Sequence, residues 1–86
     1  MGYEEFYVIA FESTHHAMQT EKYLKTKFSI ETIPTPREIS ASCGLSIKFS
    51  RDIFADVTDM LKKENRGYHV FRVERKEGKR QIIKIT

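Results

Sequence analysis

The sequence has a single cysteine, Cys43, among its 86 residues, so the chain cannot form an internal disulfide. It also lacks any apolar run approaching the roughly 20 residues that a membrane-spanning helix needs. Its first residues do not combine basic, apolar and small-residue segments as a secretory signal peptide does. We therefore expect a cytoplasmic protein that does not associate with a membrane.

The patterns that mark common enzymes and cofactor-binding proteins are missing too. The chain contains no glycine-rich phosphate loop, no dinucleotide fingerprint, no catalytic carboxylate pair and no nucleophile beside an evident base. His15, His16 and His69 do not form a metal-ligand set with Cys43, because adjacent helical residues point about 100° apart and no two histidines share a helix face. We expect no metal and no bound cofactor, and a non-enzymatic role is favoured.

The apolar residues recur with the periods of strands and helices. Alternating or continuous apolar residues predict five strands, at residues 5–11, 30–33, 45–49, 68–74 and 80–86. Capping residues and helical spacing predict a first helix from Ser13 or Thr14 to about Lys27, and a second helix capped by Ser50. The last two strands are predicted to form a hairpin that turns at Gly78.

The order of these elements indicates the fold class. Strand, helix, strand, strand, helix, strand is the split βαβ pattern of ferredoxin-like domains, which are α+β two-layer sandwiches. The composition, 40% apolar, supports one modest core without metal or disulfide. The sequence therefore predicts a single ferredoxin-like βαββαβ domain over residues 1–86, with a core at 5–74 and an additional C-terminal hairpin strand at 80–86.

Cys43 lies in a polar loop that leads into the third predicted strand. Pro34 and Pro36 stiffen the beginning of this loop. Its other residues include an arginine, serines and a glycine, which are typical neighbours of an exposed, reactive thiol and unusual neighbours of a buried one. Cys43 is therefore the residue that the sequence nominates for chemistry.

The predicted topology gives this cysteine a specific setting. The loop between strands two and three and the N-terminus of the first helix lie at the same edge of a ferredoxin-like sheet. We therefore expect Cys43 and Arg37 to face the free backbone N–H groups around Thr14, His15 and His16, where an anion or a thiolate would be stabilised. His15 is expected to cap, pack or face solvent, and His16 to be exposed.

The loop contains two short motifs, first Pro34-Thr35-Pro36-Arg37 and then Ser40-Ala41-Ser42-Cys43-Gly44. Together with the runs at residues 11–17 and 21–25, they resemble the small family called "Putative selenium/sulfur carrier protein-like". The resemblance covers roughly residues 6–64. It is more specific than a lone cysteine because both motifs fall in one loop.

The resemblance implies that Cys43 carries sulfur or selenium as a covalent persulfide or selenosulfide. A cysteine desulfurase-type or selenium donor would supply the atom, and an acceptor protein would receive it. Arg37, Ser40 and Ser42 would stabilise the terminal chalcogenide anion, and Pro36 would help to present the sulfur rigidly. Gly44 would let the backbone pass close to the cargo. Thr14 and His15 would support the site from the helix N-terminus.

Two other function classes stay open. A ferredoxin-like module could bind an anion or a protein through the 36–43 loop without thiol chemistry, and it predicts that Cys43→Ser leaves binding intact. RNA binding is the second class, because residues 66–73 begin like the aromatic strand motif of RNA-recognition domains. That motif belongs before the second helix, and four residues do not fit it: His69, Val70, Phe71 and Val73. Nucleic-acid binding is therefore disfavoured.

The basic residues are concentrated near the C-terminus. Residues 66–86 contain 7 Lys or Arg against 2 Asp or Glu, whereas residues 1–65 contain 8 against 10. These charges alternate with apolar residues along the predicted hairpin, which is typical of a solvated sheet edge. A homodimer through the edge strands is compatible with the sequence but is not specified by it.

Overall fold

A computed structural model describes residues 3–64 and 67–86, and it contains one antiparallel five-stranded sheet and two helices. The elements follow in the order β1 (Tyr3–Phe11), α1 (Thr14–Lys25), β2 (Glu31–Pro34), β3 (Leu45–Phe49), a 3-10 turn (Arg51–Ile53), α2 (Phe54–Glu64), β4 (Tyr68–Lys76) and β5 (Lys79–Lys84). The strand order is β2-β3-β1-β4-β5. This arrangement confirms the ferredoxin-like sandwich with an added strand, β5, beside β4.

Helix α1 begins where the sequence predicts. The side chain of Ser13 accepts a hydrogen bond from the backbone N–H of His16 at 3.4 Å, which satisfies one free donor of the first turn. Ala17 and Leu24 are buried and lie one helical repeat of seven residues apart, so one side of the helix faces the sheet. The helix ends at Lys25, two residues earlier than predicted.

Helix α2 begins later than predicted. Ser50 takes the N-cap position of the 3-10 turn, but its side chain makes no capping hydrogen bond, and the α-helix itself begins at Phe54. Its apolar stripe is the predicted one, with Val57 and Leu61 buried. Arg66, the first residue of the RNA-binding-like segment, lies outside the described residues.

The β4–β5 hairpin turns through two residues. Glu77 and Gly78 both have positive φ, at 52° and 81°, as the central residues of a type I′ turn require. Glycine at the second position adopts this conformation without strain. The predicted turn at Gly78 is confirmed, while β5 ends at Lys84 and not at Thr86. The last two residues instead donate their backbone N–H groups to the carbonyl of Val70.

The two faces of the sheet carry different apolar clusters. The face that packs on the helices carries the larger one, whose buried members include Ile9, Leu24, Ile47, Val57, Leu61 and Val70. The opposite face, called here the open face, carries a smaller cluster around Val8, Ala10 and Val73. Strand alternation produces this division, because neighbouring residues such as Val8 and Ile9 point to opposite sides. No helix among the described residues is long and apolar enough to cross a bilayer.

Candidate functional site

The loop that connects β2 to β3, residues 35–44, folds over the open face of the sheet. Ile39 is only 5% exposed and belongs to the same cluster as Val8, Ala10 and Val73. Ala41 is half-buried against that cluster. Burial of one isoleucine side chain contributes roughly 1.5–3 kcal/mol in transfer free energy, so this residue anchors the loop to the sheet.

Thr35 fastens the two ends of the loop to each other. Its backbone N–H donates to the carbonyl of Gly44 at 2.9 Å, and its hydroxyl donates to the carbonyl of Cys43 at 3.0 Å. The hydroxyl also lies 2.7 Å from the hydroxyl of Ser46. Because the single Thr35 proton is used on the Cys43 carbonyl, Ser46 is the donor in that second bond. Ser46 is fully buried, so its only hydroxyl proton finds a partner here.

An ion pair ties the far side of the loop to the added strand β5. The guanidinium of Arg80 binds the carboxylate of Glu38 through two nitrogens, with Nη2–Oε1 at 2.6 Å and Nε–Oε2 at 3.0 Å. Hydrogen bonds from Arg80 are the main cause that holds the pKa of Glu38 below its usual range, with a smaller contribution from its own backbone N–H. Both side chains are partly exposed, at 35% for Arg80 and 43% for Glu38.

Cys43 is buried, and the expectation of an exposed thiol is wrong. The residue is 2% exposed and belongs to the cluster on the helix side of the sheet, together with Phe11 and Ala17. The physical reason is strand register. Side chains two residues apart along an extended strand point to the same side of the sheet. Ile47 and Phe49 point to the helices, and Cys43, four residues before Ile47, points to the same side.

The backbone around Cys43 is held on both sides. Its N–H donates to the carbonyl of Phe11 at 3.2 Å, at the end of β1, and its carbonyl accepts from Thr35. The sulfur accepts from the N–H of Leu45 at 3.3 Å and donates to the carbonyl of the same residue at 3.4 Å. Both hydrogen-bonding functions of a thiol are therefore satisfied within the chain.

The loop thus wraps around one end of β1. Residues 39 and 41 lie on the open face, and Cys43 lies on the helix side. Between them, Ser42 is exposed at the edge, where its hydroxyl donates to the carboxylate of Glu12 at 3.3 Å. The structure confirms that the loop meets the segment between β1 and α1, since Cys43 and Ser42 bond to Phe11 and Glu12.

Among the described residues, neither Arg37 nor a backbone N–H of α1 donates a hydrogen bond to the Cys43 sulfur. Arg37 is exposed, and the residues that follow it, Glu38 and Ile39, are fixed on the open face, whereas the sulfur is on the other side. The donor at the sulfur is the N–H of Leu45, and no hydrogen bond from α1 to the sulfur occurs among the described residues.

The remaining predicted site residues lie on the surface around this loop. Ser40, Gly44, Thr14 and His15 are exposed, and Pro36 is half-buried and accepts a hydrogen bond from the N–H of Ile39 at 2.9 Å. His16, which the sequence predicts to be exposed, is half-buried instead. Its position one residue before the buried Ala17 places it at the margin of the helix–sheet interface.

Four residues that hold the site were missed by sequence reasoning. Thr35, Glu38, Ile39 and Arg80 fix the loop, yet none was a candidate. Ile39 had a usable signal, because it is the only large apolar residue between the prolines and Cys43 and such a residue usually points inward. The pairing of Glu38 with Arg80 joins positions 42 residues apart, and no local pattern indicates it.

No three His, Cys, Asp or Glu side chains within residues 3–64 and 67–86 come together as a metal site would require. The chemistry that the described residues concentrate at this loop is that of one thiol and its hydrogen-bonded backbone.

The sequence profile of the family described as "Putative Se/S carrier protein-like" matches residues 6–77, so the chain belongs to that family. The match includes the whole 35–44 loop with Cys43, and it ends before β5. No curated protein and no solved structure matches the chain significantly.

Proposed function

We propose that this protein carries sulfur or selenium on Cys43, as a persulfide or a selenosulfide. The observation that carries the proposal is the position of the chain's sole thiol. It lies inside the region that matches the family, at the end of a loop whose two ends are fastened together by Thr35. A carrier needs one nucleophilic atom in a defined setting, and the described contacts supply that setting.

The transfer step needs no external oxidant or reductant. The Cys43 thiolate attacks the terminal sulfur of a persulfide on a donor such as a cysteine desulfurase. The donor's sulfur–sulfur bond breaks, its cysteine leaves as a thiolate that takes up a proton, and a new bond joins the transferred atom to Cys43. A selenium donor reacts in the same way through a sulfur–selenium bond. Delivery reverses the step, because the acceptor's nucleophile takes the terminal atom and the Cys43 thiol is regenerated.

Burial of Cys43 adds a requirement to this chemistry. A cysteine residue that is 2% exposed cannot present its sulfur to a donor protein until the chain around it moves. The strand after it, β3, is paired on both edges, with β1 and with β2, so it cannot supply the movement. Loading therefore proceeds through displacement of the 35–44 loop, which carries Cys43 out of the helix-side cluster, and return of the loop brings the cargo back to that side.

The polar residues of the loop have proposed roles that depend on this displacement. Ser42 is adjacent to Cys43 and exposed, so its hydroxyl can turn from Glu12 to the terminal chalcogenide. Arg37 and Ser40 are also exposed, but they reach the cargo only after the loop leaves the open face. Apart from its own two chain neighbours, Gly44 has no atom within 4 Å of the position that a Cβ would take, which leaves room for a partner's backbone.

Intact-protein mass spectrometry tests the proposal. The wild type and Cys43→Ala are incubated with a cysteine desulfurase and either cysteine or selenocysteine, and the masses are read with and without reductant. We expect a gain of one sulfur or one selenium atom that is confined to the wild type and removed by reductant. The absence of any adduct on the native protein, while an unfolded sample alkylates rapidly, would contradict the proposal.

The burial of Cys43 also favours a second candidate, a binding module in which the thiol is only a small core side chain. Such a module would bind an anion or an acidic protein through the exposed part of the loop. It predicts no adduct on Cys43, and it predicts that Cys43→Ser binds the same partner as the wild type. RNA binding is not proposed, because Ile39 and Ala41 cover part of the sheet face on which RNA-recognition domains stack bases.

A further inference from the structure

The basic C-terminal hairpin has a contact that links it to the candidate site. Its strand β5 lies beyond residues 6–77, the region that matches the family, and pairs only with β4 among the described strands. From this strand Arg80 reaches the 35–44 loop and binds Glu38 with bidentate geometry. Arg80 is therefore a residue outside the family match that touches the loop ending in Cys43.

The contacts of the loop determine how Cys43 can be reached. One end of the loop is fixed at Thr35, and the middle is fixed by Ile39 in the open-face cluster and by Glu38 on Arg80. Since Cys43 belongs to the loop while β3 is held on both edges, a displacement of the loop that releases these contacts would carry the sulfur away from the helix-side cluster. Each contact therefore adds to the free energy of opening, including the ion pair that is remote from the sulfur.

We propose that Arg80 is a positioning residue for Cys43, which holds Glu38 and thereby keeps the 35–44 loop closed over the open face and the sulfur inaccessible. The inference deepens the proposed carrier function and rests on it for its biological meaning. A partner that offers a carboxylate to Arg80 would compete with Glu38 and release the loop. Access to the cargo would in this way depend on strand β5, which the family match does not include.

The expected size of the effect follows from the exposure of the pair. Partly exposed ion pairs make small contributions, so loss of this one increases the open population roughly two- to fivefold. Salt screens such pairs, and the effect should shrink as the ionic strength rises. Bidentate Arg–carboxylate geometry places the pair at the stronger end of this class.

The test is the rate at which iodoacetamide alkylates Cys43 in the folded, full-length protein at low ionic strength. Arg80→Gln and Glu38→Gln are each expected to react roughly two- to fivefold faster than the wild type. The double variant should react no faster than either single variant, because the two residues act through one interaction. Arg75→Gln is the matched control. Arg75 lies opposite Arg80 in the hairpin, is exposed and forms no ion pair with a described residue.

A pH profile separates access from ionisation. If Arg80 controls access, the alkylation rate of Arg80→Gln rises at every pH while the midpoint of its pH dependence stays where the wild type has it. A shifted midpoint with an unchanged plateau would overturn the inference, and so would equal rates for Arg80→Gln, Arg75→Gln and the wild type.

The two proposals fail separately. Alkylation measures the closing of the loop without any donor enzyme, whereas mass spectrometry after desulfurase treatment measures the carrier chemistry. A wild type that gains sulfur, with an Arg80→Gln variant that alkylates no faster, would refute the role of Arg80 and leave the carrier function standing. Faster alkylation of Arg80→Gln without any sulfur adduct would uphold the positioning role and refute the carrier function.

Discussion

Replacing Ile39 with alanine should expose Cys43 more than any change to the charged residues of the loop. The Ile39 side chain is almost fully buried on the open face, and Ile39→Ala removes three of its carbons. At about 0.8 kcal/mol per buried carbon, the closed loop loses about 2–3 kcal/mol relative to an open loop in which this side chain is solvated. Since each 1.4 kcal/mol is a factor of ten, the open population rises roughly 30- to 140-fold.

The assay is alkylation of Cys43 under native conditions with a reagent slow enough for the loop to reach equilibrium between encounters. Val57→Ala is the comparison variant, because Val57 is fully buried in α2 and shares the helix-side cluster with Cys43 but takes no part in the open-face contacts of the loop. Urea unfolding of both variants supplies their losses of global stability. We expect faster alkylation in Ile39→Ala and a rate close to that of the wild type in Val57→Ala.

Two results would refute this reasoning. An Ile39→Ala rate equal to that of the wild type would mean that the loop does not control access to the sulfur. Rates that rise in both variants in proportion to their losses of global stability would mean that Cys43 becomes accessible only by unfolding of the whole domain.

Three further predictions concern the loop. Thr35→Val leaves the buried carbonyl of Cys43 without its donor and should lower the free energy of unfolding by about 1–3 kcal/mol in urea titrations. Thr35→Ser keeps a hydroxyl at this position and should keep most of the wild-type stability. Hydrogen bonds from Arg80 lower the pKa of Glu38 in the folded protein. Its ionised carboxylate therefore stabilises the fold at pH values above the pKa of glutamate in the unfolded chain, about 4.3. The difference in urea midpoint between wild type and Glu38→Gln should therefore be constant above about pH 5 and disappear as the pH falls through the folded pKa, and a difference that grows on acidification would contradict the assignment. Gly44→Ala should change the free energy of unfolding by less than about 0.5 kcal/mol, because Gly44 does not have a positive φ and has open space at the Cβ position. If this stable variant nevertheless loses sulfur transfer, Gly44 contacts the partner protein.

The strands and the start of α1 could be predicted because local patterns determine them. Alternation at Ile47 and Phe49 specifies a half-buried strand, and Ser13 specifies the start of α1. The start of α2 was predicted too early, because a serine before an acidic residue is equally compatible with the 3-10 turn that precedes the helix. Such ambiguity is common at helix ends, where 3-10 and α geometries use the same residues.

The side of the sheet that Cys43 occupies could have been predicted from the strand alternation at Ile47 and Phe49, if that alternation had been extended toward the N-terminus past Leu45 to Cys43. The polar neighbours of Cys43 in the sequence suggested exposure, but neighbours along an extended chain point to the other side or to the edge. The path of the loop across the open face could not be predicted in this way. It depends on the pairing of Glu38 with Arg80 and on the burial of Ile39, which join parts of the chain that are distant in sequence.

The most direct test of the account is the mass of the native protein after treatment with a cysteine desulfurase and cysteine or selenocysteine. The account predicts a reductant-labile gain of one chalcogen atom in the wild type, none in Cys43→Ala, and faster loading in Ile39→Ala because its loop opens more often. A native wild type and a native Ile39→Ala that both remain unmodified, although their thiols alkylate, would contradict the account and return Cys43 to a purely structural role.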